Sequence, residues 1–343
     1  MTTTFTAATP GPCTVTVTLT TASGRKASAS QTTTIITGPV PVPSLPSCTD
    51  PEHFDSNGVP LNGVDNHSIT GAAGDRAFVY VQLYDEAAPF DDDTILHLRS
   101  TPLAAPSSCP AAGDLECDDD DGDTYTSLLL DTPIAYVLNS VIAGHPLGSS
   151  SDVVAVHGWG GGPVDPYRLY RHVVPAANLV VYPIDPGDSV DTAVDVPTTP
   201  TPWMIGQEIT AGDVDWYRFK VDTIPAEGLA LFVALDLSPD SPSAPHDDVG
   251  GWDGVIELYD SIGTQLKSVD GSTFGSPEPP AEAMAIRIND PGIYFIAVRH
   301  FSATGTGPGY HLTACTTTPT VLPQGAEEPL VEKPFTPKYP YDK

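Results

Sequence analysis

Apolar and polar side chains alternate along Gly212-Asp213-Val214-Asp215-Trp216-Tyr217-Arg218-Phe219-Lys220-Val221. Val214, Trp216, Arg218 and Lys220 share one side; Asp215, Tyr217, Phe219 and Val221 share the other. A period of two marks a strand with one buried face. By pattern, Trp216 and Tyr217 are expected in the core. Further strands are expected near residues 229–237, 255–259, 265–269, 283–288, 294–299 and 310–314, which makes one β-sandwich over residues 209–315. Upstream, residues 78–83, 94–98, 152–157 and 167–172 read as strands of another sandwich over residues 66–174. Within it, the apolar stretch 128–143 reads as a buried strand pair turning at Asp131-Thr132-Pro133. Long helical patterns are missing.

The remaining segments read as arms and linkers. Residues 13–20 and 27–36 alternate Thr, Ser and Val around a turn at Ala22-Ser23-Gly24-Arg25, so residues 1–38 are expected to be a β-hairpin. Residues 39–65 form a Pro-rich spacer and residues 175–208 an acidic linker. Residues 316–343 form a tail interrupted by proline at six positions from Pro319 to Pro340, which suits neither helix nor central strand.

Composition narrows the function. The 343 residues suffice for two or three domains, and 37 prolines with 30 glycines favour strands and turns. The 44 acidic against 14 basic side chains give a formal charge of −30, which should repel nucleic-acid phosphates and anionic lipid surfaces. No apolar run is long enough to span a bilayer. The Thr-rich, Lys-poor sequence nevertheless suits the cell exterior, so the numbering is expected to begin inside a longer precursor. Five cysteines without a CxxC pattern argue for disulfides rather than zinc or haem. Cys109 and Cys117 are close in sequence and are expected to pair. Cys48 and Cys315 bracket the two sandwiches and are the next pair, which leaves Cys13 over.

The unit Gly212-Asp213-x-Asp215-Trp216-Tyr217-x-Phe219, then Leu258-Tyr259-Asp260 with Gly263, then Gly292-Ile293-Tyr294 and a final Tyr310-x-Leu312, resembles a bacterial pre-peptidase C-terminal (PPC) domain. The resemblance implies a jelly-roll-like antiparallel β-sandwich serving as a non-catalytic accessory module on a secreted protein. Upstream, Gly74-Asp75 with Phe78 and Tyr80, Val153-Val154-Ala155-Val156, and Tyr167-Arg168-Leu169 resemble a divergent copy. In it Arg76-Ala77 stands where the second unit has Val214-Asp215. Pro10-Gly11-Pro12-Cys13-Thr14-Val15-Thr16-Val17 with Ser23-Gly24-Arg25 is similar to the closing hairpin of a PKD domain, with Cys13 in the place of the usual Tyr.

Candidate chemistry is sparse. There is no HExxH, no GxSxG and no cysteine in a protease-like context, so no enzyme is expected. His300 and His311 fall on adjacent predicted strands without a third ligand. Asp118, Asp119, Asp121 and Asp123 belong to a run of five carboxylates around Gly122, which suits either a calcium loop or a solvated one. In some PPC domains calcium sits between an acidic linker and the first strand. That resemblance implies a calcium site at Asp185, Asp188, Asp191 and Asp213. Trp159, Trp203 and Trp252 lie in loops, where they suit either packing at the sandwich ends or contact with an extracellular glycan or peptide. Asn66-His67-Ser68 is a glycosylation sequon. The leading expectation is a non-catalytic extracellular structural protein, a surface or matrix subunit that self-associates by β-strand addition through its arms, with a filament as one form of that assembly. The alternative is the substrate-binding accessory region of a secreted peptidase.

Overall fold

The computed structural model describes residues 11–20, 26–35, 42–83, 93–119, 139–237, 252–270, 281–302 and 304–319, those before residue 42 by backbone alone. The chain divides into two compact units, Met1–Val42 and Pro43–Lys343. In the first, strands β1 (Gly11–Thr20) and β2 (Lys26–Ile35) pair antiparallel, from Gly11 opposite Ile35 to Thr20 opposite Lys26. They form a sheet of two strands.

The second unit is built from strands and turns, with no α-helix among the described residues. Its first half contains β3 (His53–Asp55), β4 (Asp65–Ile69), β5 (Arg76–Leu83), β6 (Thr94–Arg99), β7 (Asp114–Asp119), β8 (Val141–Pro146), β9 (Asp152–Gly158) and β10 (Tyr167–Val174). Two short strands follow, β11 (Leu179–Val181) and β12 (Val194–Asp195). The second half contains β13 (Met204–Ile209), β14 (Val214–Val221), β15 (Leu229–Asp236), β16 (Gly254–Tyr259), β17 (Gln265–Val269), β18 (Ala281–Ile288), β19 (Gly292–His300) and β20 (Gly307–Thr317).

Both halves have the same jelly-roll topology. With β3–β10 counted as strands one to eight, their sheets run 1-8-3-6 (β3-β10-β5-β8) and 2-7-4-5 (β4-β9-β6-β7). With β13–β20 counted likewise, the orders are again 1-8-3-6 (β13-β20-β15-β18) and 2-7-4-5 (β14-β19-β16-β17). β11 and β12 extend the second pair of sheets by parallel pairing with β13 and β14. Residues 175–208 therefore supply edge strands as well as connection, and β3 lies inside the region expected to be spacer.

The four sheets stack in layers. Val79, Val81, Leu96, Leu98 and Val156 fill the first sandwich. Tyr217, Phe219, Leu231, Val233, Ile296 and Leu312 fill the second. A third core lies between the sandwiches, where Phe78, Tyr80 and Tyr170 meet Phe232, Ala283 and Ala285. The rings of Tyr80, Tyr170 and Phe232 stack with centroids 5.6–6.4 Å apart. The inner sheets, β3-β10-β5-β8 and β11-β13-β20-β15-β18, are thus covered on both faces. Facing alanines on β15 and β18 let the layers approach. Gly144 of β8 does the same at the rim: a Cβ there would come within 2.2 Å of Asp236 Oδ2.

Residues 43–55 strap these layers together. The Lys220 N–H on β14 donates to Pro43 O at 2.8 Å, the Cys48 N–H donates to Thr316 O of β20 and the Thr316 N–H to Pro46 O, both at 2.9 Å, and the Val173 N–H of β10 donates to Thr49 Oγ1 at 2.7 Å. Cys48 is bonded to Cys315 of β20, as Cys109 is to Cys117 of β7.

His172 of β10 lies under this strap, fully buried. Its Nδ1 accepts the Thr49 N–H at 3.1 Å, and its Nε2 has no partner among the described residues. Burial pushes its pKa down from 6.5 to about 4. The unfolded chain takes up this proton near 6.5 and the folded chain only near 4. The stability His172 contributes is therefore full above pH 6.5 and is lost as pH falls towards 4, by about 3 kcal/mol. Urea titrations across this range should show that decline, and the slope should be shallower in His172→Phe.

Candidate functional site

Three carboxylates gather where β14 begins. The chain turns at Thr210–Asp213, with the Asp213 N–H donating to Thr210 O at 3.1 Å and the Thr210 N–H donating to Asp213 Oδ2 at 3.2 Å. Alternation then aims Asp215 inward, and it is fully buried. β20 brings Tyr310 against it: Tyr310 Oη donates to Asp215 Oδ2, and Tyr217 Oη lies 2.5 Å from Tyr310 Oη. Asp215 Oδ1 has no partner among the described residues. Asp185 arrives from the segment after β11, held because the Trp216 N–H donates to Gly187 O at 3.2 Å. Gly187 has φ +91°, and a Cβ there would sit 2.7 Å from Thr192 O.

One carboxylate oxygen from each of Asp185, Asp213 and Asp215 lies within 4.8 Å of the others. Burial, reinforced by Asp213 and Asp185 and opposed by the Tyr310 bond, pushes the Asp215 pKa up to about 7. Burial and the neighbouring Asp188 and Asp185 raise Asp213 also. Three clustered acids with one oxygen unmatched in the interior favour either a proton or a cation between them. A cleft lined by Ile184, Asp185, Gln207, Asp213 and Tyr310 opens beside them.

Of the acids expected at this place, the structure brings Asp185 and Asp213 together, with Asp188 beside Asp213; Asp191 is not among the grouped ligands. Asp215 was missed, although a carboxylate on the apolar side of an alternating strand is itself a signal. In the other acidic run, Asp118 is buried on β7 and its Oδ2 accepts the Val141 N–H at 2.5 Å. Asp119 ends that strand. Asp121 and Asp123 lie outside the described residues, as do residues 128–138 of the expected apolar strand pair, of which β8 carries the end. Cys13 lies in β1, whose side chains are not described. Asn66 is exposed on β4, with its amide exchanging bonds with Leu103 at 2.9 and 3.0 Å.

Other expectations are corrected. Trp216 is half-buried on the outer face of β14, against Tyr259 and Phe295, not in the core. Trp203 and Trp252 are buried, in keeping with the packing reading for these side chains, whereas Trp159 is exposed, at 63%. His300 and His311 lie in different sheets: His300 stacks on Trp252, while His311 Nδ1 is 3.0 Å from Asp236. The repeat also has another register. Topology equates β14 with β4, not β5, so the partner of Val214-Asp215-Trp216-Tyr217 is Val64-Asp65-Asn66-His67. The lock is repeated there: Tyr167 Oη donates to Asp65 Oδ2 at 3.1 Å and lies 2.8 Å from His67 Nε2.

No family model matches the chain, and no curated protein matches it. Among solved structures, it is similar to the M60 catalytic domain with CBM51-1 and CBM51-2 domains of Clostridium perfringens ZmpB, at 7% identity and TM-score 0.21. The match covers 90% of this chain and 42% of that one. It is similar to the tandem CBM51 modules of Sp3GH98, a family 98 glycoside hydrolase from Streptococcus pneumoniae SP3-BS71, at 12% identity and TM-score 0.23, over 82% of this chain and 89% of that one. The CUB1-EGF-CUB2 domain of human MASP-1/3 matches at 11% identity and TM-score 0.19, over 78% and 98%. Likeness at this level carries no argument about function. The resemblance to PPC and PKD domains stays at the motifs quoted above.

Tyr310→Phe should leave both oxygens of buried Asp215 without a donor. We expect a loss of about 1–3 kcal/mol in urea unfolding without added metal, against a smaller loss for Tyr217→Phe, which removes only the outer link.

Proposed function

We propose that this protein is a non-catalytic structural subunit of the cell exterior: a rigid four-sheet body, braced by calcium, that associates through its N-terminal hairpin. The observation that carries the reading is the β1–β2 sheet, two ten-residue strands with no third strand among the described residues. An isolated hairpin is marginal in water, and its two outer edges offer unpaired N–H and C=O groups for strand addition. Two disulfides suit an oxidising exterior. The charge of −30 opposes nucleic-acid and anionic-membrane partners. No described helix is long and apolar enough to cross a membrane.

Calcium is the cation that suits Asp185, Asp213 and Asp215, because hard oxygens on a loop and a strand entrance match its flexible coordination. Bound there, it joins the segment after β11 to β14. At free calcium about a hundredfold above its dissociation constant the gain is about 2.7 kcal/mol. The melting temperature should fall when chelator is added at constant ionic strength, and Asp213→Asn should abolish the response. An unchanged melting curve removes calcium from the reading.

Association through the hairpin can repeat head to tail without closing, which yields filaments. Deleting residues 1–38 should turn a concentration-dependent assembly into a monomer in sedimentation velocity. If the intact chain is already monomeric at high concentration, or the shortened chain assembles equally well, the accessory module of a secreted peptidase becomes the better reading.

A further inference from the structure

The outer face of the β4-β9-β6-β7 sheet carries a buried group that neither the sequence motifs nor the reading above uses. Leu96 and Leu98 of β6 face the core, so His97 and Arg99 face the other way. Residues 100–113 fold over that face, and the Cys109–Cys117 bond closes the cover. Both His97 and His157 of β9 are fully buried beneath it.

The ring nitrogens are oriented. His97 Nδ1 lies 2.9 Å from Asp114 Oδ2, and Asp114 also accepts from Arg99 and from the Ala111 N–H at 2.5 Å. A carboxylate in such company only accepts, so His97 Nδ1 carries the proton. His157 Nδ1 lies 2.9 Å from Gly158 O, also only an acceptor, and therefore carries its proton too. In the neutral rings both Nε2 atoms hold lone pairs, and these two atoms face each other at 2.9 Å. Two facing lone pairs need a third species between them.

The topologically equivalent place in the second sandwich solves the problem differently. There Glu257 of β16 and Arg299 of β19 occupy the matching diagonal and pair at 2.9 Å, an acceptor against a donor. The first sandwich puts two imidazoles in that position.

We propose that His97 and His157 hold a divalent transition-metal ion, zinc in the first instance, between their facing Nε2 atoms under the Cys109–Cys117 cover. Imidazole nitrogen suits zinc or copper(II) and not calcium or magnesium. A ring whose second nitrogen donates to a carboxylate or carbonyl is the usual outer-shell arrangement of a metal-bound histidine, and both rings have it. Tetrahedral zinc with bonds of 2.0–2.1 Å sets its nitrogens about 3.3 Å apart, so the rings need open by only roughly 0.4 Å. The Ser107 N–H points at His157 Nε2 from 3.5 Å, a long contact that gives way when an ion takes the lone pair, and the remaining coordination positions fall to water. Cys117 lies beside His97, but while bonded to Cys109 its sulfur is no thiolate and the ion does not depend on it.

The test uses the full chain, stripped with chelator and returned to excess calcium so that the Asp185–Asp215 carboxylates are not the zinc site. Zinc titration by calorimetry should show one equivalent bound. Imidazole nitrogen spectra of the same sample should show two Nε2 resonances moving while both Nδ1 atoms stay protonated. His157→Gln should weaken zinc at least tenfold, Asp114→Asn by about 10–100-fold with stoichiometry kept, and His300→Gln should change nothing. Should His157→Gln fail to fold, the wild-type nitrogen spectra decide alone. Zinc uptake unchanged in His97→Gln and His157→Gln overturns the proposal. So does the absence of saturable uptake, which would leave one shared proton between the rings.

Discussion

Covering the inner sheets on both faces is the constraint from which the rest of this architecture follows. An outer sheet can alternate, and β14 does, with every second residue buried. An inner strand cannot: β15 is buried over seven successive positions and β5, β8 and β10 nearly throughout. Apolar side chains on two sides demand close layers, hence alanine on β18 and β15 and glycine at position 144 opposite Asp236. Polar groups in the same layer must find each other. Gln82 reaches both Tyr170 Oη and Ala285 O, and Arg168 meets Glu52 at 2.6 Å.

The two jelly rolls share one internal device and diverge around it. An aspartate near the start of the second strand, an aromatic or imidazole ring two residues on, and a tyrosine of the eighth strand form a hydrogen-bonded group in each: Asp65, His67 and Tyr167, partly buried, then Asp215, Tyr217 and Tyr310, fully buried. In the first copy His53 and Asp55 of β3 flank it. In the second, Asp213 and Asp185 do, and the site becomes wholly carboxylate. The outer faces diverge as well, one with an ion pair and the other with two histidines.

The strands of the second sandwich were legible because their turns are marked by Gly and Asp and their residues alternate. The repeat was legible in its last two strands, where Val153–Val156 and Tyr167-x-Leu169 align with β19 and β20. It was misread at its start, because Gly74-Asp75 imitates Gly212-Asp213 although it precedes a different strand. Both cysteine pairs could be suggested from position. The stacking of the sandwiches could not: continuous apolar runs such as Leu229–Asp236 signal two buried faces but do not say what covers the second. The candidate site was half visible. Asp185 and Asp213 stood in a linker and a turn that looked acidic, whereas Asp215 was read only as part of a strand face. The His97–His157 pair had no signal, since 60 residues separate the rings and only strand register joins them.

The bond between Cys48 and Cys315 closes a covalent ring of 267 residues' separation around both jelly rolls. Tension applied between the chain before Cys48 and the chain after Cys315 passes through one sulfur bridge and not through the sheets. The two sandwiches lie off the load path. Under oxidising conditions, a pull along the chain can lengthen only what lies outside the ring. Under reducing conditions the same pull reaches the strap, β20 and then the inner sheets. Resistance to force in this molecule is thus set by the redox state of a single bond before it is set by the packing of its cores.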